Sequence, residues 1–153
     1  MVQILIIFGI VLLDRISKYL AIVYLKDIGS IEIIKGVFSL TYVENRGAAF
    51  GILQNQRWFF IILTVVVGIG IIYFMFTQSN IESLLRISLS MILAGAIGNL
   101  IDRIRFGYVV DMLHFTLIDF PVFNVADCFV VAGTILLAFY TLFIADKPEK
   151  EVV

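Results

Sequence analysis

The run from Trp58 to Phe76 carries no charged residue, and that fixes the class of fold before anything else is read. A helix needs about 20 predominantly apolar residues to cross a bilayer. Three further runs reach that length: Val2 to Leu25, Leu84 to Ile101 and Val125 to Ile144. The chain is 61% hydrophobic and 15% charged, far from the soluble norm. An α-helical membrane protein of one 153-residue domain is predicted, with four transmembrane helices at 2–25, 58–76, 84–101 and 125–144. Arg86 stands near the start of the third run, where a long side chain can snorkel to the interface. The first run is interrupted by Asp14, Arg15 and Lys18. Its apolar stretch Val2 to Leu13 lacks the basic lead and small-residue cleavage site of a signal peptide, so it is predicted to be retained as the first helix.

A net charge of −1 gives no basic surface on which a nucleic acid could be held. The one cysteine, Cys128, excludes an internal disulfide and any multi-cysteine metal site, and is expected to be a small buried thiol.

Four spans put both termini on one side of the membrane. The loop 26–57, the end of the third span with Asn99, Asp102 and Arg103, the connection through Asp111 and the start of the fourth span with Asn124 and Asp127 then share the other side. Charge counting alone would make that polar face cytoplasmic. It carries Lys26, Lys35, Arg46, Arg57, Arg103 and Arg105, against Arg86, Lys147 and Lys150 on the opposite face. Several of those cations lie within motifs, which weakens the count as a guide to topology.

Within the loop, Gly36 to Glu44 alternates, with Phe38, Leu40 and Tyr42 on one face and Ser39 and Thr41 on the other. This predicts a half-buried strand in a small sheet between helices 1 and 2, its apolar face able to rest on the membrane surface. The strand runs into Glu44-Asn-Arg-Gly-Ala-Ala-Phe-Gly51. Its glycines either close an ordinary turn or shape a cleft for an extended peptide. In the first helix Asp14 and Lys18 are four apart on one face, and are either a structural pair or a contact to lipid headgroups or to the surround of a site. The third span ends Gly95-Ala-Ile-Gly98-Asn99-Leu-Ile-Asp102-Arg103. The small residues admit a neighbouring helix, while Asn99 and Arg103 share a face suited to holding a carboxylate or peptide carbonyl, or merely cap the span.

Asp111 and Asp127 introduce the last apolar run, in the settings Gly-Tyr-Val-Val-Asp and Phe-Asn-Val-Ala-Asp. An aspartate at the centre of a membrane helix costs roughly 2.5–3.5 kcal/mol on insertion scales, so such residues are functional candidates. Asn124 at an N-cap and Asp127 three residues on fit helix initiation, which leaves Asp111 unexplained. Two adjacent carboxylates favour sharing one proton, which yields one acid and one base with no metal or organic cofactor. Other chemistries fit less well. There is no His-Glu-x-x-His and no Gly-x-Ser-x-Gly, and a serine–histidine protease would have to pair His114 with Ser88 or Ser90. A transporter would use Asp14, Lys18, Asp102 and Arg103 as a relay, without the broken helices and internal repeat such folds show. A non-catalytic assembly subunit would have no need of both aspartates.

Asp14-x-x-x-Lys18, the Glu44–Gly51 segment, Gly95 to Arg103, Gly107-Tyr-Val-Val-Asp111 and Phe123-Asn-Val-Ala-Asp127 together resemble lipoprotein signal peptidase, the bacterial type II signal peptidase. Met112 departs from the phenylalanine expected after the aspartate, which bears on packing. The resemblance implies an aspartic endopeptidase of the bacterial cytoplasmic membrane, with both termini cytoplasmic and the active site and small sheet at the extracytoplasmic face. It further implies cleavage of diacylglyceryl prolipoproteins on the amino side of the lipidated cysteine, and inhibition by globomycin. Asp111 and Asp127 match the family's catalytic pair, Asn45, Gly47, Asn99, Arg103 and Asn124 its polar surround, and Asp14 and Lys18 its first-helix motif. Membrane lipids are the expected surroundings and a monomer the expected state.

Overall fold

The computed structural model describes residues 2–48, 52–78 and 81–145. Helix α1 (Val2–Tyr24) leads into strands β1 (Ser30–Ile34) and β2 (Phe38–Asn45). Helices α2 (Arg57–Thr77) and α3 (Ser83–Arg105), strand β3 (Val109–Phe115) and helix α4 (Val125–Phe143) follow. By length and composition α2, α3 and α4 are each apolar enough to cross a membrane. At 23 residues α1 is equally long, about 34 Å at 1.5 Å per residue, but it carries the charges of Asp14, Arg15 and Lys18. The third helix continues past its expected end at Ile101. Arg103 and Arg105 occupy its last turn, where cations suit the negative end of the helix dipole. Ala49, Phe50, Gly51 and the polar tail from Asp146 lie outside the described residues.

Helix α3 is the hub, packing against α4, α1 and α2. Small residues set its distance from α4. A methyl group on Gly95 would collide with the backbone carbonyl of Ala126 and with Val130, and one on Gly133 would press on Ser88 O and Ile92. Gly70 of α2 faces open space. Gly95→Ala is therefore expected to cost about 1–3 kcal/mol through overpacking. Gly70→Ala should leave stability unchanged or raise it slightly, since alanine is the better helix former. Thermal unfolding of the two purified variants compares them directly, and equal losses would contradict this packing.

The sheet order is β1-β2-β3, antiparallel throughout. Gly36, at φ +70°, makes the β1–β2 turn, and its N–H donates to Glu32 Oε1 at 2.7 Å. The sheet was expected wholly between the first two helices, yet its third strand comes from the connection after α3. That strand pairs the edge of β2 that would otherwise offer unpaired backbone groups. Asn45 lies opposite Val109 and Val43 opposite Asp111, while one extra β2 residue bulges between the Leu40–Leu113 and Val43–Asp111 pairs. Leu40 and Tyr42 do share an apolar environment, but it is the end of α1 rather than the membrane surface. They pack with Ala21, Leu25, Val110 and Met112. Exposed isoleucines are found instead on β1, at Ile31, Ile33 and Ile34. Met112 belongs to this sheet-to-helix core, so its departure from the expected phenylalanine alters that packing and not the cleft described below.

Candidate active site

The β3 alternation that sends Val110 and Met112 toward α1 leaves Asp111 on the other face, beside the start of α4. There Asn124 caps the helix. Its Oδ1 accepts from the Asp127 N–H at 2.9 Å, while Asp127 Oδ2 accepts from the Asn124 N–H at 3.1 Å, a reciprocal capping box. The cap has a second task. Asn124 Nδ2 donates to Asp111 Oδ1 at 2.6 Å, so one asparagine holds both carboxylates. Asn45 Nδ2 donates to the other Asp111 oxygen at 2.9 Å, and Asn99 Nδ2 to Asp127 Oδ1 at 2.7 Å. Asn99 Oδ1 in turn accepts from Lys18 Nζ at 2.8 Å and from Asn124 Nδ2 at 3.1 Å. Three asparagines from β2, α3 and the head of α4 thus form a frame around two acids.

Asp111 is only 1% exposed. Burial, and after it the neighbouring charge of Asp127, push its carboxyl up to about 7, against the lowering influence of Asn45, Asn124 and Lys18. Gly47 tightens the loop after β2. Its N–H donates to Asn45 Oδ1 at 2.9 Å, and a methyl group on it would meet Ile52 O at 2.6 Å. Arg103 donates to Gly47 O at 3.2 Å with its guanidinium 4.6 Å from the Phe60 ring centre, which links α3, the loop and the start of α2.

A cleft of about 670 Å³ opens beside this frame, with Asn45, Gly47, Asn99, Arg103 and Asp127 at its polar end. Its remaining walls are apolar, from Val131 and Ile135 of α4 and from Phe115, Ile118, Phe120 and Phe123. Asp111 stands behind the asparagine amides and is not part of the wall. Cys128 was expected to be buried. It is exposed and lines the cleft, because α4 turns Ala126 and Val130 toward α3 and the next residue after Asp127 away from it.

Asp14 and Lys18 are paired as their spacing implies, at 3.1 Å, but both are fully buried, which removes the headgroup reading. Arg15 and Asp102 complete a four-charge cluster, in which Asp102 joins the pair as in the relay grouping and Arg15 takes the place given there to Arg103. Asp102 and Arg103, adjacent in sequence, point to different places, one to this cluster and one to the cleft. The serine–histidine alternative finds no geometry. His114 lies in β3, with Nδ1 3.4 Å from Thr41 Oγ1, while the Ser88 and Ser90 hydroxyls donate to Leu85 O and Arg86 O near the start of α3. The aromatic wall also went unread. Phe115 and Phe123 stack at 5.6 Å with Phe120 edge-on to Phe123, and the density of phenylalanine around Pro121 was the signal for it.

Residues 6–143 match the family described as signal peptidase (SPase) II. The chain belongs to the signal peptidase II family. It is thereby a peptidase. It is similar to a protein named lipoprotein signal peptidase from Caldanaerobacter subterraneus subsp. tengcongensis, 58% identical over 88% of this chain and 91% of that one. A second of that name, from Clostridioides difficile, is 47% identical over 97% of this chain and all of the other. Among solved structures it superposes with TM-score 0.90 on a bacterial membrane enzyme determined by the in meso method at 2.3 Å. The two are 36% identical, and the match covers 99% of this chain and 94% of that one. In this member of the family Asp111 lies on a strand and Asp127 at a helix start, braced by amides from β2 and α3 respectively.

Proposed function

We propose that this protein is an aspartic endopeptidase that removes the signal peptide from diacylglyceryl-modified prolipoproteins, cutting on the amino side of the lipidated cysteine. The observation that carries the reading is a buried carboxylate, Asp111, and a half-buried one, Asp127, held through one shared asparagine at the polar end of a long apolar cleft. Family membership and the names of the relatives support the same substrate class.

In this reading Asp111 and Asp127 hold one proton between them. Asp127 occupies the first turn of α4, where free amides and the helix dipole favour a negative charge, and it borders the cleft. It takes a proton from the attacking water. Asp111, with its carboxyl raised to about 7, keeps its proton until the tetrahedral oxygen or the departing amine needs it. The Asn45 amide, now on Asp111, turns to the substrate carbonyl and uncovers that proton. The acyl chains stay in the apolar part of the cleft, which fixes the peptide's register and makes cleavage nearly unimolecular.

The α1 helix is the fourth span. Its charges are tolerated because each is paired inside the bundle, leaving a charge-neutral cluster. With four spans both termini share one side, which the family resemblance implies is the bacterial cytoplasm, with the carboxylates at the extracytoplasmic face. One chain supplies every residue of the frame, so the enzyme acts as a monomer.

Two outcomes test this. The cleavage rate should be bell-shaped in pH, falling on the alkaline side through about 7 as Asp111 loses its proton. A peptide of the same sequence without diacylglyceryl should be cleaved at least about 100-fold less efficiently, given about 0.8 kcal/mol per buried methylene. Equal cleavage of both peptides would remove the lipid from the specificity.

A further inference from the structure

The reaction leaves three buried charges and one half-buried one without a task. Asp14, Lys18 and Asp102 are each at most 2% exposed, and Arg15 closes the group from the same helix as the first two. The Arg15 guanidinium bridges Asp14 Oδ2 and Asp102 Oδ1, both at 2.6 Å, and donates to Gly98 O at 2.8 Å. Lys18 Nζ bridges the same two acids, at 3.1 Å to Asp14 Oδ2 and 2.9 Å to Asp102 Oδ2. Two acids and two bases make the group neutral. As mere stabilisation it is a poor investment, because the desolvation of buried ion pairs offsets much of their attraction.

Each acid has one further contact, and both contacts fall at corresponding places. Asp14 Oδ1 accepts from the N–H of Ala126 at 3.0 Å, and Asp102 Oδ2 from the N–H of Val110 at 3.1 Å. Ala126 immediately precedes Asp127, and Val110 immediately precedes Asp111. The remaining Lys18 contact, on Asn99 Oδ1, turns the Asn99 amide so that its NH2 faces Asp127.

We infer that Arg15 and Asp102 are positioning residues. With Asp14 and Lys18 they close a charge-neutral clamp that fixes the backbone ahead of each active aspartate and keeps the field at the pair balanced. Their part in catalysis rests on the proposed peptidase function; the clamp itself does not. The charges that act on Asp111 are Asp127 of α4, Lys18 of α1 and Arg103 of α3, and behind them Asp14, Arg15 and Asp102 are tied to Lys18 and to the backbone of Val110. From β2 it receives only the Asn45 amide, since Glu44 lies opposite Val110 and pairs with Lys26 and Arg46. Removing one member of the clamp therefore leaves a net charge that nothing nearby is arranged to cancel.

The sign of that charge gives the test. Arg15→Gln leaves −1 in the clamp and Asp102→Asn leaves +1, while the double variant returns to zero. In lipid-reconstituted protein the Asp111 carboxyl is followed by infrared titration, using the band that Asp111→Asn lacks, and cleavage of a diacylglyceryl peptide is measured alongside. Arg15→Gln is expected to raise the titration midpoint by about one pH unit and Asp102→Asn to lower it by about as much. The double variant should return to the wild-type midpoint. A midpoint unmoved in Arg15→Gln, or moved the same way by both changes, overturns the clamp, as does a double variant that stays displaced. Should Asp102→Asn fail to insert, Arg15→Gln alone decides. Opposite midpoint shifts in the two variants, with no cleavage by the wild type, would sink the peptidase reading and spare the clamp. Wild-type cleavage with fixed midpoints would do the reverse.

Discussion

Asp111→Asn and Asp127→Asn should each lower cleavage of a diacylglyceryl prolipoprotein by about three orders of magnitude or more, while the protein still inserts and binds substrate. Positioned acid–base groups contribute roughly 10²–10⁴-fold each, and here either loss also ends the sharing of a proton. An amide nearly matches the carboxylate in shape, so the helix packing has no reason to change. Each site nevertheless loses something local. Both Asp111 oxygens accept from asparagine NH2 groups, and both Asp127 oxygens accept from Asn99 and the Asn124 N–H. An amide in either place turns one acceptor into a donor facing a donor, at about 1–3 kcal/mol. Thermal unfolding in detergent and substrate pull-down separate that modest loss from the loss of turnover. Normal cleavage by either variant would remove the mechanism.

Asn124 is the residue whose replacement should cost most after the aspartates. Asn124→Ala gives up the α4 cap, about 1 kcal/mol, and the bond to Asp111 at 2.6 Å together. With the two carboxylates no longer referred to one side chain, cleavage is expected to fall by about 100-fold or more, the effect of a misplacement near 1 Å. Asn124→Ser separates the two roles. Serine caps helices well but has no NH2 to reach Asp111, so it should restore much of the thermal stability and little of the activity. Recovery of both would make Asn124 a helix cap and nothing more.

The helices, the polar cluster at one end and the cap at Asn124 were legible because each is written in local spacing. Apolar runs of bilayer length and an Asn-x-x-Asp start need no knowledge of the rest of the chain. What stayed hidden depends on contacts between distant segments. Nothing near Val109 in sequence announces that β2 will need an edge partner, so β3 read as a connection. Arg15 looked like an interruption of a membrane helix because its partner Asp102 is 87 residues away. The face of Cys128 was misjudged for a related reason. Small residues on α3 determine which side of α4 is buried, and the thiol lies on the other side, in the cleft.

The central claim is that two aspartates meeting at an asparagine frame hydrolyse one peptide bond beside a lipidated cysteine. Mass spectrometry of products from the purified protein, reconstituted with a synthetic diacylglyceryl prolipoprotein peptide, tests it most directly. The account predicts one cut, a new amino terminus on the lipidated cysteine, and no product from Asp127→Asn in the same lipid. A cut elsewhere, or the same product from Asp127→Asn, would contradict it.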